Sequence, residues 1–142
     1  MKSQYDDSGC NPTDFPSPRS YHATVYSPYI QTLITCGGSS DFVGSLLSSC
    51  IIQNKNGDQI KLPPLLTAMS SFAMVSISNK LFVIGGSSKE NLMETIKLNE
   101  KSLNNWSQQR TPFTVRDHCA VVSNLDDYII VIGGRDKYDN VS

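Results

Sequence analysis

A pair of adjacent glycines occurs three times in this chain, and each pair directly follows a short apolar run. The pairs are Gly37-Gly38, Gly85-Gly86 and Gly133-Gly134, so the intervals from 37 to 85 and from 85 to 133 are both 48 residues long. A fixed period of this length is typical of a chain built from one repeated structural unit. The apolar runs are rich in β-branched residues and stop at glycine, which predicts buried β-strands. They are Leu33–Cys36, Leu81–Ile84 and Ile129–Ile132.

A second strand-like run precedes each of these, and a turn-rich segment separates the two. Each repeat therefore predicts a β-hairpin whose second strand ends in the double glycine. A weaker pair of strands follows the glycines. In the second repeat the first strand of this pair is predicted over Met93 to Leu98, and the second lies at Trp106 after a polar turn. In the first repeat the corresponding positions are Leu47 to Ile52 and Ile60. The intervals from 98 to 106 and from 52 to 60 match, which predicts that Ile60 occupies the position of Trp106. The upstream runs are 22–26, 72–76 and 118–122.

Four short antiparallel strands in a repeat of about 50 residues predict an all-β fold, made of β-propeller blades that are four-stranded antiparallel sheets. The third repeat has room for only half a blade, so about two and a half blades are expected and further blades would be needed to close a ring. The expected organisation is a polar N-terminal segment or linker over 1–15, repeat 1 over 16–64, repeat 2 over 65–112 and a truncated repeat 3 over 113–142.

The pattern resembles the kelch repeat over about Pro16 to Ser142. The matching residues are the three double glycines, Trp106 as the spaced aromatic residue, and an Arg-His opening. The tyrosine usual before the kelch tryptophan is replaced by Leu98, the first repeat lacks its tryptophan, and the second lacks the Arg-His opening. The resemblance implies a β-propeller that binds partner proteins, often as a substrate receptor of ubiquitin ligases or as a cytoskeletal adaptor. The Arg-His openings are Arg19 with His22 and Arg116 with His118.

The glycines and the tryptophan are interpreted as structural. Residues without a Cβ allow close backbone approach and positive φ where strands crowd, so Gly85→Val or Gly133→Val is expected to destabilise the fold by steric clash. Trp106 is expected to fill the space between blades, and the alternative is an exposed tryptophan that binds a partner.

Partner binding is predicted at the loops that follow each double glycine and at those that join one repeat to the next, since loops at one end of a rigid scaffold carry recognition. Arg135 and Asp136 belong to these loops. Arg19 and Arg116 either cross-link blades through backbone carbonyls or point into the mouth of the channel. These four residues are the candidate partner-binding set.

The charge composition restricts the classes of binding partner that this chain is expected to have. The formal net charge is -1 and 18% of residues are charged, which gives no electrostatic reason to expect nucleic acid or an anionic membrane surface. The longest apolar run, Tyr128 to Ile132, is too short to cross a bilayer, and the first seven residues do not form a secretion signal. The expected partner is therefore another protein. The sequence does not determine the cellular compartment, although a cytoplasmic location is favoured.

The cysteines leave two possibilities. Cys36 and Cys119 fall in apolar runs, where cysteine behaves as a small hydrophobic residue. The alternative is a disulfide between Cys36 and Cys50 on neighbouring strands, which requires an oxidising compartment.

Catalysis is not expected, and no cofactor or metal is predicted. Galactose oxidase-like proteins also carry kelch repeats, but their copper chemistry needs several His and Tyr ligands. This chain has only His22 and His118, which the pattern places at equivalent positions. No nucleophile elbow or phosphate-binding glycine loop is present. The sequence predicts a non-catalytic protein-interaction module. The alternatives are a fragment of a secreted oxidase-like propeller and a truncated chain without independent function.

Overall fold

The computed structural model describes residues 18–40, 44–54, 56, 58–87, 92–98, 105–111, 118–124 and 128–135. All regular secondary structure in these residues is β-strand. No helix in this part of the chain is long and apolar enough to cross a membrane. The strands are β1 Ala23–Ser27, β2 Thr32–Cys36, β3 Cys50–Gln53, β4 Gln59–Leu62, β5 Phe72–Ile77, β6 Lys80–Gly85, β7 Leu92–Lys97, β8 Ser107–Arg110, β9 Ala120–Asn124 and β10 Tyr128–Ile132.

These strands form three antiparallel sheets in chain order. The first sheet has the order β1-β2-β3-β4, the second β5-β6-β7-β8, and the third contains β9 and β10. The prediction of an all-β chain with four antiparallel strands in each of the first two repeats is confirmed. Since β1 lies beside β5 and β5 beside β9, the first strands of the three sheets are neighbours along one side of the stack.

The strand register corrects two sequence-based equivalences. The residue before each double glycine pairs with Ala23, Ala73 and Ala120 in the three sheets. His118 lies two residues before Ala120 and is thus equivalent to Tyr21. The expected equivalence of His118 to His22 is wrong, because the two Arg-His openings differ by one residue in length.

The second correction concerns Ile60. It pairs with Ile52 inside β4 and is exposed, whereas Trp106 precedes β8 and is buried. By register Ile60 is equivalent to Ser107, since Ser107 pairs with Thr95. The matched eight-residue intervals did not reflect strand register because the turns between the outer strands differ.

The first two sheets pack face to face around one hydrophobic core. Because side chains alternate between the faces of a strand, one face of the first sheet carries Ile34, Cys36 and Ile52, and these meet Leu81 and Val83 of the second sheet in a single cluster. Burial of this apolar surface is the main contribution to the stability of the pair. The remaining members of the cluster are Cys50, Leu62, Leu65, Met69, Phe72, Met74, Ile96, Leu98 and Trp106.

Trp106 and Glu94 join the second sheet to the segment that follows the first. Trp106 is buried in the shared core, and its Nε1 donates to the carbonyl oxygen of Pro63 at 2.8 Å. The expectation that Trp106 fills space between sheets is confirmed, and the alternative of an exposed binding tryptophan is wrong. The carboxylate of Glu94, also buried, accepts hydrogen bonds from the backbone N–H groups of Leu66 and Thr67, both at 2.8 Å.

The double glycines have the backbone conformation that their position requires, since all six have positive φ. A Cβ on Gly37 would lie 2.5 Å from a ring carbon of Phe72 and 2.7 Å from the carbonyl oxygen of Met69. The expected crowding is thus present in the first repeat. At Gly133 a Cβ would meet none of the described residues within 4 Å, so the expected clash is not found among them. Its requirement for glycine comes from its φ of 69°.

Cys36 and Cys50 form a disulfide between β2 and β3. They are directly opposed in the strand register, and both are buried in the core shared by the first two sheets. The alternative raised from the sequence is therefore the one found in the structure, and the interpretation of Cys36 as a reduced hydrophobic residue is wrong.

Candidate binding site

Three equivalent residues lie just before the first strand of each of the three sheets. Tyr21, Ser71 and His118 each stand two residues before the alanine that pairs with the end of the next strand. All three have left-handed backbone conformations, with φ of 53°, 57° and 54°. Positive φ is uncommon for residues other than glycine and carries a cost in free energy. The repetition of this conformation in three sheets marks the position as a constrained feature of the fold.

Backbone hydrogen bonds connect these residues across the sheets. The N–H of Ser71 donates to the carbonyl oxygen of Tyr21 at 2.9 Å, and the N–H of His118 donates to that of Ser71 at 2.8 Å. Each sheet is thus joined to the next at the same point. The side chains of Tyr21 and His118 are exposed here, at the edge of an open cleft of about 680 Å³. The cleft is lined by Ser20, Tyr21, Ser39, Gly44, Leu46, Ser70, Ser71 and His118.

The described residues that line this cleft are mainly polar. Four serines belong to the lining, of which Ser39 is buried, and the hydroxyl groups of Ser20 and Ser70 already donate within the protein but can still accept. Tyr21 and Leu46 expose apolar surface. His118 adds an imidazole. No Asp, Glu, Lys or Arg occurs among the lining residues that the structure describes. This combination is suited to hydrogen bonding with backbone amides or uncharged polar groups around an aromatic contact.

The wall formed by the first repeat is held by reciprocal backbone bonds. The N–H of Ser20 donates to Ser39 at 2.9 Å, and the N–H of Ser39 donates back to Ser20 at 2.8 Å. The N–H of Leu47 donates to the carbonyl oxygen of Gly38 at 2.8 Å. The loop after the first double glycine is therefore fixed to the segment that precedes β1 and contains Tyr21.

The same loop contacts the segment that joins the first sheet to the second. Gly38 donates to Met69 at 2.9 Å, Leu65 donates to Ser48 at 2.8 Å, and Met69 donates to Leu47 at 3.2 Å. The sequence had predicted that post-glycine loops and inter-repeat loops share one end of the fold. For the described part of the first repeat this is confirmed.

The guanidinium of Arg19 is partly buried and forms hydrogen bonds within the fold. Its Nη1 donates to the carbonyl oxygens of Gly37 and Ser49 at 3.2 and 3.1 Å, and its Nη2 donates to the Ser49 hydroxyl at 3.0 Å. Partial burial lowers the pKa of the Arg19 guanidinium through desolvation. Both carbonyls belong to the first repeat, so these hydrogen bonds of Arg19 link the glycine turn to the residue that precedes β3.

The other predicted partner-binding residues are placed only in part. Arg135 is exposed and directly follows the third double glycine. Arg116 and Asp136 lie outside the described residues. Sequence analysis missed Tyr21, Ser71 and Leu46, since the resemblance drew attention to the Arg-His opening. The signal that could have found Tyr21 and Ser71 is their position two residues before an alanine that recurs in all three repeats.

No group of three or more His, Cys, Asp or Glu side chains able to share a metal ion occurs among the described residues. No protein-family model matches the sequence, and no curated protein matches it at a significant level.

Proposed function

We propose that the chain is a kelch-repeat β-propeller module that binds a segment of another protein in the cleft at Tyr21, Ser71 and His118, without catalysis. The observation that carries the proposal is the alignment of these three equivalent residues by backbone hydrogen bonds at one end of stacked antiparallel sheets. The two neighbouring four-stranded sheets, whose first strands lie side by side, support this proposal, because propeller blades are four-stranded antiparallel sheets packed beside one another. A rigid scaffold with a recessed loop face is suited to recognition.

The expected ligand is an extended peptide segment with uncharged polar side chains and one apolar anchor. The serine hydroxyls of the cleft can pair with its backbone amides, while the exposed faces of Tyr21 and Leu46 can contact the anchor. Tyrosine at the centre of an interface frequently contributes a large share of the binding free energy. The expected partner is therefore a protein and not a charged small molecule.

The disulfide between Cys36 and Cys50 supports an oxidising compartment, since such bonds persist mainly outside the cytosol. Within the proposed function it favours a secretory or extracellular interaction module over a cytosolic substrate receptor. It equally fits the alternative of a secreted oxidase-like propeller, which would be supported by oxidation of a primary alcohol by the purified chain loaded with copper.

The test is selection of peptides from a random display library on the purified chain, followed by affinity measurements on two variants. Tyr21→Ala should weaken the selected peptides by roughly tenfold or more, as expected for a hot-spot tyrosine. Tyr29→Ala is the matched control, because Tyr29 is also exposed and lies in the turn at the other end of β1. Circular dichroism of both variants should match that of the parent chain.

Peptides whose affinity falls with Tyr29→Ala and not with Tyr21→Ala would contradict the proposed site. A chain that shows no cooperative thermal transition would support the remaining alternative, a truncated chain without independent function.

A further inference from the structure

The connection from β7 to β8 contains an acceptor triplet for N-linked glycosylation. Asn105, Trp106 and Ser107 form the pattern Asn-x-Ser, and the middle residue is not proline. Such a triplet is modified only where the asparagine is accessible and the chain passes through the secretory pathway. The structure bears on both conditions, because it gives the exposure of the triplet and a covalent bond that forms on the same route.

The triplet presents its two functional side chains to solvent on a segment that is held at two points. Asn105 and Ser107 are exposed, whereas Trp106 between them is buried and bonded to the carbonyl oxygen of Pro63. The Oγ of Ser107 donates to the carbonyl oxygen of Thr95 on β7 at 3.1 Å. The asparagine therefore lies on the surface of the second sheet, directly beside a residue that is anchored in the core.

The equivalent position in the first repeat is also exposed, although the first sheet is covered by the second. Ile60 is the register equivalent of Ser107, so Asp58, two residues before Ile60, is the equivalent of Asn105. The second sheet packs on the first, yet Asp58 is exposed and Ile60 is 53% exposed. A sheet packed on β5 to β8 in the same manner would therefore leave Asn105 accessible.

The disulfide between Cys36 and Cys50 is an independent observation that indicates the secretory route. Disulfides form and persist in the lumen of the endoplasmic reticulum and outside the cell, and the Asn-x-Ser triplet is glycosylated in secreted proteins. The two features lie apart, since the disulfide is in the core shared by the first two sheets and the triplet is at the start of β8. Both modifications are therefore expected in the same compartment.

We infer that Asn105 is a site of N-linked glycosylation. The side-chain amide nitrogen Nδ2 forms a bond to the anomeric carbon of an oligosaccharide carried on a polyprenyl diphosphate. The bond between that carbon and the diphosphate oxygen breaks, the lipid diphosphate leaves, and the amide nitrogen loses one proton to a base of the transferring enzyme. The lipid-linked oligosaccharide is the only co-reactant that this transfer consumes.

The glycan would lie at the end of the second sheet that is remote from the cleft. Asn105 belongs to the connection that follows Lys97, the last residue of β7, whereas Leu92 begins β7 at the same end of the sheet as Ser71 of the cleft. The six residues of β7 separate the two ends by about 20 Å. Glycosylation at Asn105 therefore does not depend on what the cleft binds.

Cell-free translation with microsomes tests the inference on the full 142-residue chain with an added signal peptide. Asn140→Gln is introduced first, because Asn140, Val141 and Ser142 form a second triplet of the same kind. In the protease-protected fraction, this chain should give a slower electrophoretic band that N-glycosidase converts to the faster one. Mass spectrometry of the released chain should locate the modification at Asn105. Translation without microsomes should give the faster band alone.

Further substitutions in the Asn140→Gln chain separate the triplet from the surrounding structure. Asn105→Gln and Ser107→Ala should each abolish the slower band, because they remove the acceptor amide and the hydroxyl of the triplet. Ser107→Thr keeps a hydroxyl and should retain the band. Asn104→Gln is the matched control, since it changes the neighbouring asparagine and leaves the triplet intact. A protease-protected Asn140→Gln chain without a glycosidase-sensitive band, or a slower band that persists after Asn105→Gln, would overturn the inference.

Discussion

The indole Nε1 of Trp106 donates a hydrogen bond to the carbonyl oxygen of Pro63 at 2.8 Å. Trp106 directly precedes β8 of the second sheet, and Pro63 directly follows β4 of the first. One side chain therefore contributes both apolar burial and a polar bond to the contact between neighbouring sheets. Glu94 acts nearby on the same linking segment through two further backbone bonds. The two sheets are expected to unfold together for this reason.

The two contributions of Trp106 can be separated by substitution. Trp106→Phe keeps most of the packing but leaves the Pro63 carbonyl without its donor, and it should lower the free energy of unfolding by about 1–3 kcal/mol. Trp106→Ala also removes the buried ring and should cost about 3–5 kcal/mol. Urea unfolding followed by circular dichroism measures both. Equal losses for the two variants would show that the hydrogen bond, and not the packing, dominates.

Glu94→Gln tests the buried carboxylate. The amide has one acceptor oxygen and turns an NH₂ group toward a second backbone donor, so one charge-assisted bond is lost at a cost of about 1.5–3 kcal/mol. Asp58→Asn is the matched control, because it removes a charge of the same sign from an exposed turn and should change stability by less than about 1 kcal/mol. Urea unfolding at neutral pH compares the two. Similar losses would contradict a specific role for Glu94.

The loss of unfolding free energy on glycine substitution should be larger where neighbouring atoms crowd the glycine. Gly37→Ala places a methyl group 2.5 Å from Phe72 in a backbone of φ 60°, so strain and overpacking add to about 2–5 kcal/mol. At Gly133 none of the described residues lies within 4 Å of an added Cβ, so Gly133→Ala is expected to cost only the conformational term of about 1–2 kcal/mol. Thermal unfolding of the two variants gives the order. A larger loss at Gly133 would contradict the packing described here.

The disulfide should be detectable and stabilising. The intact mass of the denatured, unreduced chain should rise by alkylation at Cys36 and Cys50 only after reduction. Replacing both by alanine should lower the free energy of unfolding by about 3 kcal/mol, as expected for closure of a loop of about 15 residues. Cys119→Ser, which lies outside this bond, is the control and should leave the response to reductant unchanged. Alkylation of Cys36 without reduction would contradict the bond.

Much of the fold follows from the sequence by itself. The double glycines and the apolar runs before them determine where three second strands end, because β-branched residues favour extended backbone and only glycine adopts the required φ without strain. The hairpins and the four-stranded order were predictable, since strands of this length with short polar turns pair with their neighbours in sequence. The burial of Trp106 followed from its place in the repeat.

Only the tertiary structure decided the rest. Register depends on which backbone groups pair, and a change of one residue in a turn moves a side chain to the other face, which is why Ile60 and His118 were placed wrongly. The pairing of Cys36 with Cys50, the two bonds accepted by Glu94 and the alignment of Tyr21 with Ser71 and His118 join residues far apart in sequence. The double glycines marked the repeat, and the packing of one sheet on the next determined which repeated side chains are buried and which remain on the surface.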